Sequence, residues 1–185
     1  MEKEIVEYKL TKKLDNLTWE GELCIEEKFL PNISAENIHL LTFFYLFPTA
    51  LFLVDNQDSR TKLIKLMGWF VGGVSDFSEF KRLVAVPDVK EYPIKVLIKN
   101  YTDSSQPPIH IKTGNFWQNT KVGNDNFTSL ISYFMIDLYL KLRGNPFLVS
   151  YLEDLTKVSL ENKKSWLEIL LPVSNKHFEK LNIKL

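Results

Sequence analysis

The longest uncharged stretch of this chain constrains its fold more than any other feature. Residues 37–54 read NIHLLTFFYLFPTALFLV and lie between Glu36 and Asp55, with no formal charge among them. A membrane-spanning helix needs about 20 mainly apolar residues, so this stretch is marginal in length. It also contains Pro48, which lacks an amide donor and clashes with the preceding helical turn. The sequence therefore predicts a helix that begins after Ser34 and ends or kinks at Pro48.

Three environments are open to that helix: a membrane, the core of a soluble domain, or a surface that meets a partner. Hydrophobic residues make up 45% of the chain and charged residues 25%, a balance typical of soluble globular proteins. We therefore expect no membrane span. The sequence favours a core helix, with part of its surface facing another molecule.

Length and charge narrow the class of protein further. A chain of 185 residues is close to the ordinary size of one domain, so we predict a single domain over residues 1–185. Lysine plus arginine number 23 and aspartate plus glutamate number 23, so no net field attracts nucleic acid or an anionic membrane. Zero net charge also removes the repulsion that keeps copies of a protein apart.

Cysteine usage and the first residues of the chain bear on its compartment. Cys24 is the one cysteine, which excludes an internal disulfide. The segment MEKEIVEYKL lacks the basic and apolar regions of a secretion signal. Both features favour a reducing compartment, so we expect a cytoplasmic protein.

Alternating apolar residues predict the strands. The runs EIVEYKLTK and TWEGELCIEE, separated by turn residues, predict a β-hairpin or two adjacent strands, in which Leu23 and Ile25 face the core and Cys24 faces solvent. YPIKVLIKNY and PPIHIKTG predict two further strands, and SWLEILLP predicts a fifth.

Apolar residues at helical spacing predict the helices. The clearest runs from about residue 125 to 143, with Gly144 as the residue that ends it and Pro146 preventing its continuation. The overall prediction is an α+β fold, a single domain with short antiparallel β-sheet elements of about five strands packed against about five or six helices.

No motif predicts a catalytic residue, a metal site or a cofactor. His39, His110 and His177 are far apart in sequence, and none has the spacing of a metal-ligand pair. Cys24 lies between Glu22 and Glu26, which disfavour a thiolate. An enzyme with a dispersed active site stays an alternative, and it would require His110 or His177 to meet a carboxylate in a pocket.

The aromatic content points instead to binding. The chain has 13 Phe, 7 Tyr and 4 Trp, and large rings are what interface centres use. The helix at 125–143 also carries a second apolar stripe opposite its main one. We therefore predict a non-enzymatic protein-binding subunit or adaptor, or a homo-oligomer, acting through an aromatic and aliphatic surface. Its predicted contact residues are Phe43, Phe44, Phe47, Phe52, Tyr133, Ile136 and Leu140.

A polar loop gives a second hypothesis. The segment KTGNFWQNTK places two rings among amides and two cations, a mixture that single-stranded nucleic acids bind. The alternative function is therefore a single-stranded nucleic-acid-binding module, with no ligand of small-molecule type indicated. The residues of this site would be Lys112, Phe116, Trp117, Asn119 and Lys121.

Overall fold

The computed structural model describes most of the chain in separate ranges. They are residues 6–10, 19–53, 61, 65–66, 68, 70, 92–102, 108–113, 124–157 and 166–181. The structural statements below concern these residues.

Four strands form one mixed sheet. The central pair is parallel and places Leu23 beside Ile98, while each edge strand is antiparallel to its neighbour. The spatial order is β1-β3-β2-β4. The strands are β1 (Val6–Leu10), β2 (Trp19–Glu26), β3 (Tyr92–Tyr101) and β4 (Ile109–Thr113).

Four long helices accompany the sheet. A short 3-10 helix, Leu30–Asn32, precedes the first of them, and residues 61, 65, 66, 68 and 70 are also helical. The helices are α1 (Ala35–Leu53), α2 (Asn124–Lys141), α3 (Pro146–Thr156) and α4 (Trp166–Lys180).

The predicted fold class is wrong. The described residues form a mixed sheet whose centre is a parallel pair, where about five short antiparallel strands were expected. They also contain four long helices in place of five or six. The predicted hairpin is absent from the described sheet, because β3 lies between β1 and β2. Alternation of apolar residues determines which face of a strand is buried, but it does not determine which strand is its neighbour.

A parallel pair also requires a long connection between its strands. A tight turn joins antiparallel strands only, so the chain must cross back over the sheet between β2 and β3. Helix α1 lies in this connection. The uncharged stretch thus belongs to a crossover that packs against the sheet.

Helix α1 is the centre of the described core. It contacts α2, α3, α4 and strand β4. All its residues from Leu40 to Pro48 are buried, which explains why the stretch is apolar on every side. Its beginning matches the prediction, because the backbone amide of Asn37 donates to the Ser34 hydroxyl at 3.2 Å. Of the two possibilities predicted for Pro48, an end at that residue is wrong, because the helix continues to Leu53, and a kink stays a prediction.

The predicted fifth strand is wrong as well. The described part of SWLEILLP, from Trp166 onward, belongs to α4, which continues through Pro172 to Lys180. Leu170, Ser174 and Phe178 are buried at intervals of four residues, the spacing of one helix face. The apolar run before Pro172 was too short for its period to separate strand from helix.

The sheet buries the face that alternation predicted. Leu23, Ile25, Ile98 and Ile109 are at most 1% exposed. The opposite face is partly covered too, because Cys24 is buried where solvent was expected. On that face the Lys99 ammonium donates to the Glu22 carboxylate at 2.7 Å.

In the described ranges, no helix is both long enough and apolar enough to cross a bilayer. This agrees with the expectation that the uncharged stretch does not span a membrane.

Candidate functional site: an exposed apolar corner and the polar cluster behind it

Three predicted partner contacts lie inside the chain. Phe43, Phe44 and Phe47 are fully buried on α1. The ring of Phe43 stacks on that of Phe47 at 6.0 Å and meets that of Phe70 edge-on at 5.8 Å. A partner that docks on the folded chain does not reach these rings, because other side chains of the same chain already cover them.

The remaining predicted contacts divide into two groups. Ile136 is 6% exposed and Leu140 is 45% exposed, so this stripe of α2 opens to solvent toward its end. Phe52 and Tyr133 belong to helices, but their side chains lie outside the described ones. The residues of the nucleic-acid hypothesis also lie outside that part of the structure: Phe116, Trp117, Asn119 and Lys121 entirely, and Lys112 in its side chain.

Exposed apolar side chains lie on both sides of the turn between α2 and α3. Leu140 is at the end of α2, and Phe147, 39% exposed, and Val149, 42% exposed, are near the start of α3. In the part of the chain that the structure describes, these are the large hydrophobic side chains classed as exposed. We call residues 140–149 the α2–α3 corner.

Local backbone chemistry shapes this corner. Gly144 has a φ of 82°, a conformation that glycine adopts without steric cost, and it ends α2 as the sequence predicted. Asn145 caps α3, because its side-chain oxygen accepts from the amides of Phe147 at 2.9 Å and Leu148 at 3.3 Å. Pro146 occupies the first turn, where a missing amide costs nothing.

The corner is also tied to the rest of the fold. The side-chain amide of Asn145 donates to the Glu36 carboxylate at 2.7 Å, which joins the corner to the first turn of α1. Leu142 and Leu148 on either side of the turn are 1% exposed. The exposed residues therefore stand on a backbone that buried neighbours hold in place.

Charged side chains flank Leu140 along the chain. Lys141 forms an ion pair with Asp137 one turn earlier at 3.1 Å, and Arg143 is exposed. His39 lies half-buried near them, and its pKa is lowered mainly by burial and next by Lys141. An apolar centre with a charged rim is the usual anatomy of a protein interface.

Behind the corner, α1 carries an unusual carbonyl. Pro48 has no amide to donate to the carbonyl of Phe44 four residues earlier. That oxygen instead accepts from the Tyr151 hydroxyl at 2.7 Å and the Ser174 hydroxyl at 2.6 Å. The two hydroxyls, which come from α3 and α4, are 2.9 Å apart. Both are fully buried, so the proline inside α1 is accommodated by its neighbouring helices.

A second hydroxyl bond joins α1 to α4. The Tyr45 hydroxyl donates to the Asn175 side-chain oxygen at 2.6 Å. Burial raises the pKa of both Tyr45 and Tyr151 well above the ordinary value of tyrosine. Both phenols are therefore neutral donors over the whole physiological pH range.

A histidine and a carboxylate meet on the same side of α4. His177 Nε2 lies 2.7 Å from Asp154 Oδ2, and the imidazole is 1% exposed. Burial lowers the pKa of His177, and the hydrogen bond from His177 lowers the pKa of Asp154. The Ser174 hydroxyl is engaged by the Phe44 carbonyl, so these three residue types do not form a nucleophilic triad here.

A dispersed active site would require a pocket beside this pair. A shallow depression opens on the surface elsewhere, at the carboxyl ends of the parallel strands β2 and β3. Neither His177 nor Asp154 lines it. Its walls are Glu26, Glu27, Lys28, Tyr101 and Thr102. In the ranges that the structure covers, no group of three or more His, Cys, Asp or Glu side chains is placed to hold a metal ion.

Sequence reasoning missed two residues of the corner. The predicted contact residues include neither Phe147 nor Val149, which flank the buried stripe of α3 formed by Leu148, Tyr151, Leu152 and Leu155. A helix turns by about 100° per residue, which puts both residues roughly a quarter turn or more from the centre of that stripe. The angular position on the helix was the signal that could have identified them.

Comparison with protein-family models, with curated proteins and with solved structures gives no match to this chain.

Proposed function

We propose that this chain is a non-enzymatic protein-binding subunit or adaptor and that it binds its partner through the α2–α3 corner. The observation that carries the proposal is that Leu140, Phe147 and Val149, the exposed large hydrophobic residues of the described ranges, all lie in one short segment on either side of a turn. Exposed apolar residues that are scattered singly over a surface need no explanation, whereas their concentration in one segment supports a binding role for that segment.

The rigidity of the corner supports this proposal. Binding costs free energy when loops and side chains must be ordered, and a preformed surface avoids most of that cost. The Asn145 cap, its bond to Glu36 and the buried leucines on both sides hold the corner before any partner arrives.

The expected interface is larger than the exposed apolar residues of the corner. A stable interface buries about 800 Å² on each partner, more than three partly exposed side chains provide. We therefore take Leu140, Phe147 and Val149 as contact residues within a larger interface, since a few residues dominate binding. Lys141 and Arg143 lie at its rim, and a partner with apolar residues next to a carboxylate suits this surface.

The test uses a variant that removes the apolar centre and leaves both helices favourable. Leu140→Lys puts a cation in the last turn of α2, while Phe147→Asp and Val149→Glu put anions near the start of α3. Each charge has the sign that the helix dipole prefers at its position. The control is Glu153→Lys, a charge reversal at an exposed position of α3.

Two measurements follow. Light scattering and native mass spectrometry over a range of concentrations test self-association. Quantitative affinity capture, followed by calorimetry with the purified captured protein, tests a heterologous partner. We expect complex formation by the wild type and Glu153→Lys, and at least about a tenfold weaker affinity for the triple variant.

The proposal is overturned if the wild type is monomeric and every protein that it binds is bound equally by the triple variant. Retention of single-stranded oligonucleotides by all three proteins, with strong salt dependence, would support the Lys112–Lys121 hypothesis in its place.

A further inference from the structure

His177 is buried against aromatic rings with one polar atom unsatisfied. Its ring centroid lies 5.3 Å from that of Tyr151 on α3 and 6.1 Å from that of Phe44 on α1. Nε2 has Asp154 as its partner, and Nδ1 has no hydrogen-bond partner among the described residues.

The hydrogen bond determines which nitrogen carries the proton. An ionised carboxylate can only accept, so in the neutral ring Nε2–H donates to Asp154 and Nδ1 is bare. Protonation therefore adds a hydrogen at Nδ1, a buried atom that has no acceptor among the described residues. A buried cation with an unsatisfied donor is costly.

The Asp154 carboxylate compensates only in part for a positive charge on the buried His177 ring. Asp154 on α3 is already approached by Lys157 of the same helix at 3.8 Å and by Lys176 of α4 at 3.9 Å. Lys176 and Lys180 on α4 both disfavour a positive charge on His177. From α1 the ring is faced by Phe44, which carries no charge.

We propose that the contact between α3 and α4 is an acid-sensitive switch, in which protonation of His177 loosens α4 from α3 and α1. This inference does not depend on the proposed function. Folding lowers the pKa of His177, so the neutral ring contributes fully to the free energy of unfolding at pH values above the unfolded-state pKa of about 6.5. This contribution is lost as the pH falls through the pKa of His177 in the folded state.

Hydrogen exchange of the full chain at about pH 7.5 and about pH 5.5, corrected for intrinsic rates, tests the switch. In the wild type we expect the protection of α4 amides to fall by about three- to tenfold relative to β2 and β3 amides. His177→Gln retains a donor toward Asp154 and cannot be protonated in this range, so α4 protection becomes independent of pH. His39→Gln is the matched control and behaves as the wild type.

The switch is overturned if the wild type shows no loss specific to α4, or if His177→Gln shows the same loss. Should His177→Gln not fold, the wild type alone decides by nuclear magnetic resonance. Titration of the His177 ring together with the α4 amide signals supports the switch, and titration of the ring with unchanged α4 signals overturns it.

Discussion

The hydroxyl of Ser174 donates a hydrogen bond of 2.6 Å to the carbonyl of Phe44, an oxygen that the proline at position 48 deprives of its helical partner. Tyr151 donates to the same oxygen at 2.7 Å. The helix that Pro48 was expected to end or kink continues past it with this support, and three helices are joined at one buried atom.

Removing the two hydroxyls tests this arrangement. Tyr151→Phe or Ser174→Ala alone leaves one donor on the Phe44 carbonyl, so we expect each to lower the unfolding free energy by about 1 kcal/mol. The double variant leaves a buried acceptor without a partner and is expected to lose about 2–3 kcal/mol. Urea unfolding with an unchanged m-value measures these losses.

Substitution of the proline supplies the control for that series. Pro48→Ala restores an amide four residues after Phe44, so the carbonyl regains a helical donor. In this background the double hydroxyl variant is expected to cost about 1 kcal/mol less than in the wild type. An equal cost in both backgrounds would show that the hydroxyls do not compensate for the proline.

Truncation to alanine should lower the free energy of unfolding more at a core ring than at the exposed ring of the corner. Phe44→Ala removes a fully buried side chain, and we expect a loss of about 3–5 kcal/mol of unfolding free energy. Phe147→Ala removes a ring that is 39% exposed, so its loss should be about 1 kcal/mol or less. Thermal and urea unfolding compare them, and similar losses at both sites would contradict the described burial.

Two glycines are expected to respond oppositely to alanine. Gly144 has a positive φ, so Gly144→Ala strains the backbone although no atom lies within 4 Å of the added carbon. We expect a loss of about 1 kcal/mol. Gly68 is helical and its added carbon is equally unobstructed, so Gly68→Ala should gain about 0.5–1 kcal/mol. Calorimetric melting temperatures that shift in the same direction would disprove this pair.

Alkaline pH should destabilise the fold through its buried phenols. Folding raises the pKa of Tyr45 and Tyr151, mainly by burial. The neutral phenols therefore contribute fully to the free energy of unfolding below the unfolded-state pKa of about 10, and this contribution is lost as the pH rises above it. We expect their ionisation, followed by tyrosinate absorbance, to coincide with loss of the circular dichroism signal. Tyr45→Phe should weaken this dependence and cost about 1 kcal/mol at neutral pH. Ionisation of both phenols before any loss of structure would contradict their burial.

The sequence predicted features that depend on neighbours along the chain. The Ser34 cap, the glycine that ends α2 and the buried face of β2 were all predicted, because capping, turn and alternation patterns act over a few residues. Leu140 was likewise identified from the second stripe of α2, and it is exposed.

Features that depend on distant segments were decided by the tertiary structure. Strand β3 lies between β1 and β2 because sheet partners are chosen by packing and not by sequence order. The burial of Phe43, Phe44 and Phe47 follows from the helices and the strand that surround α1. Their surroundings could not be read from the uncharged stretch itself, because an apolar helix looks the same whether its own chain or a partner covers it.

The sequence by itself determined that residues 35–47 would be helical and too apolar to face water. Only the tertiary structure decided that the helix continues beyond Pro48, since the donors that satisfy the Phe44 carbonyl come from positions 151 and 174. A buried carbonyl must find a hydrogen-bond donor, but local sequence specifies only those donors that lie within a turn or two of it.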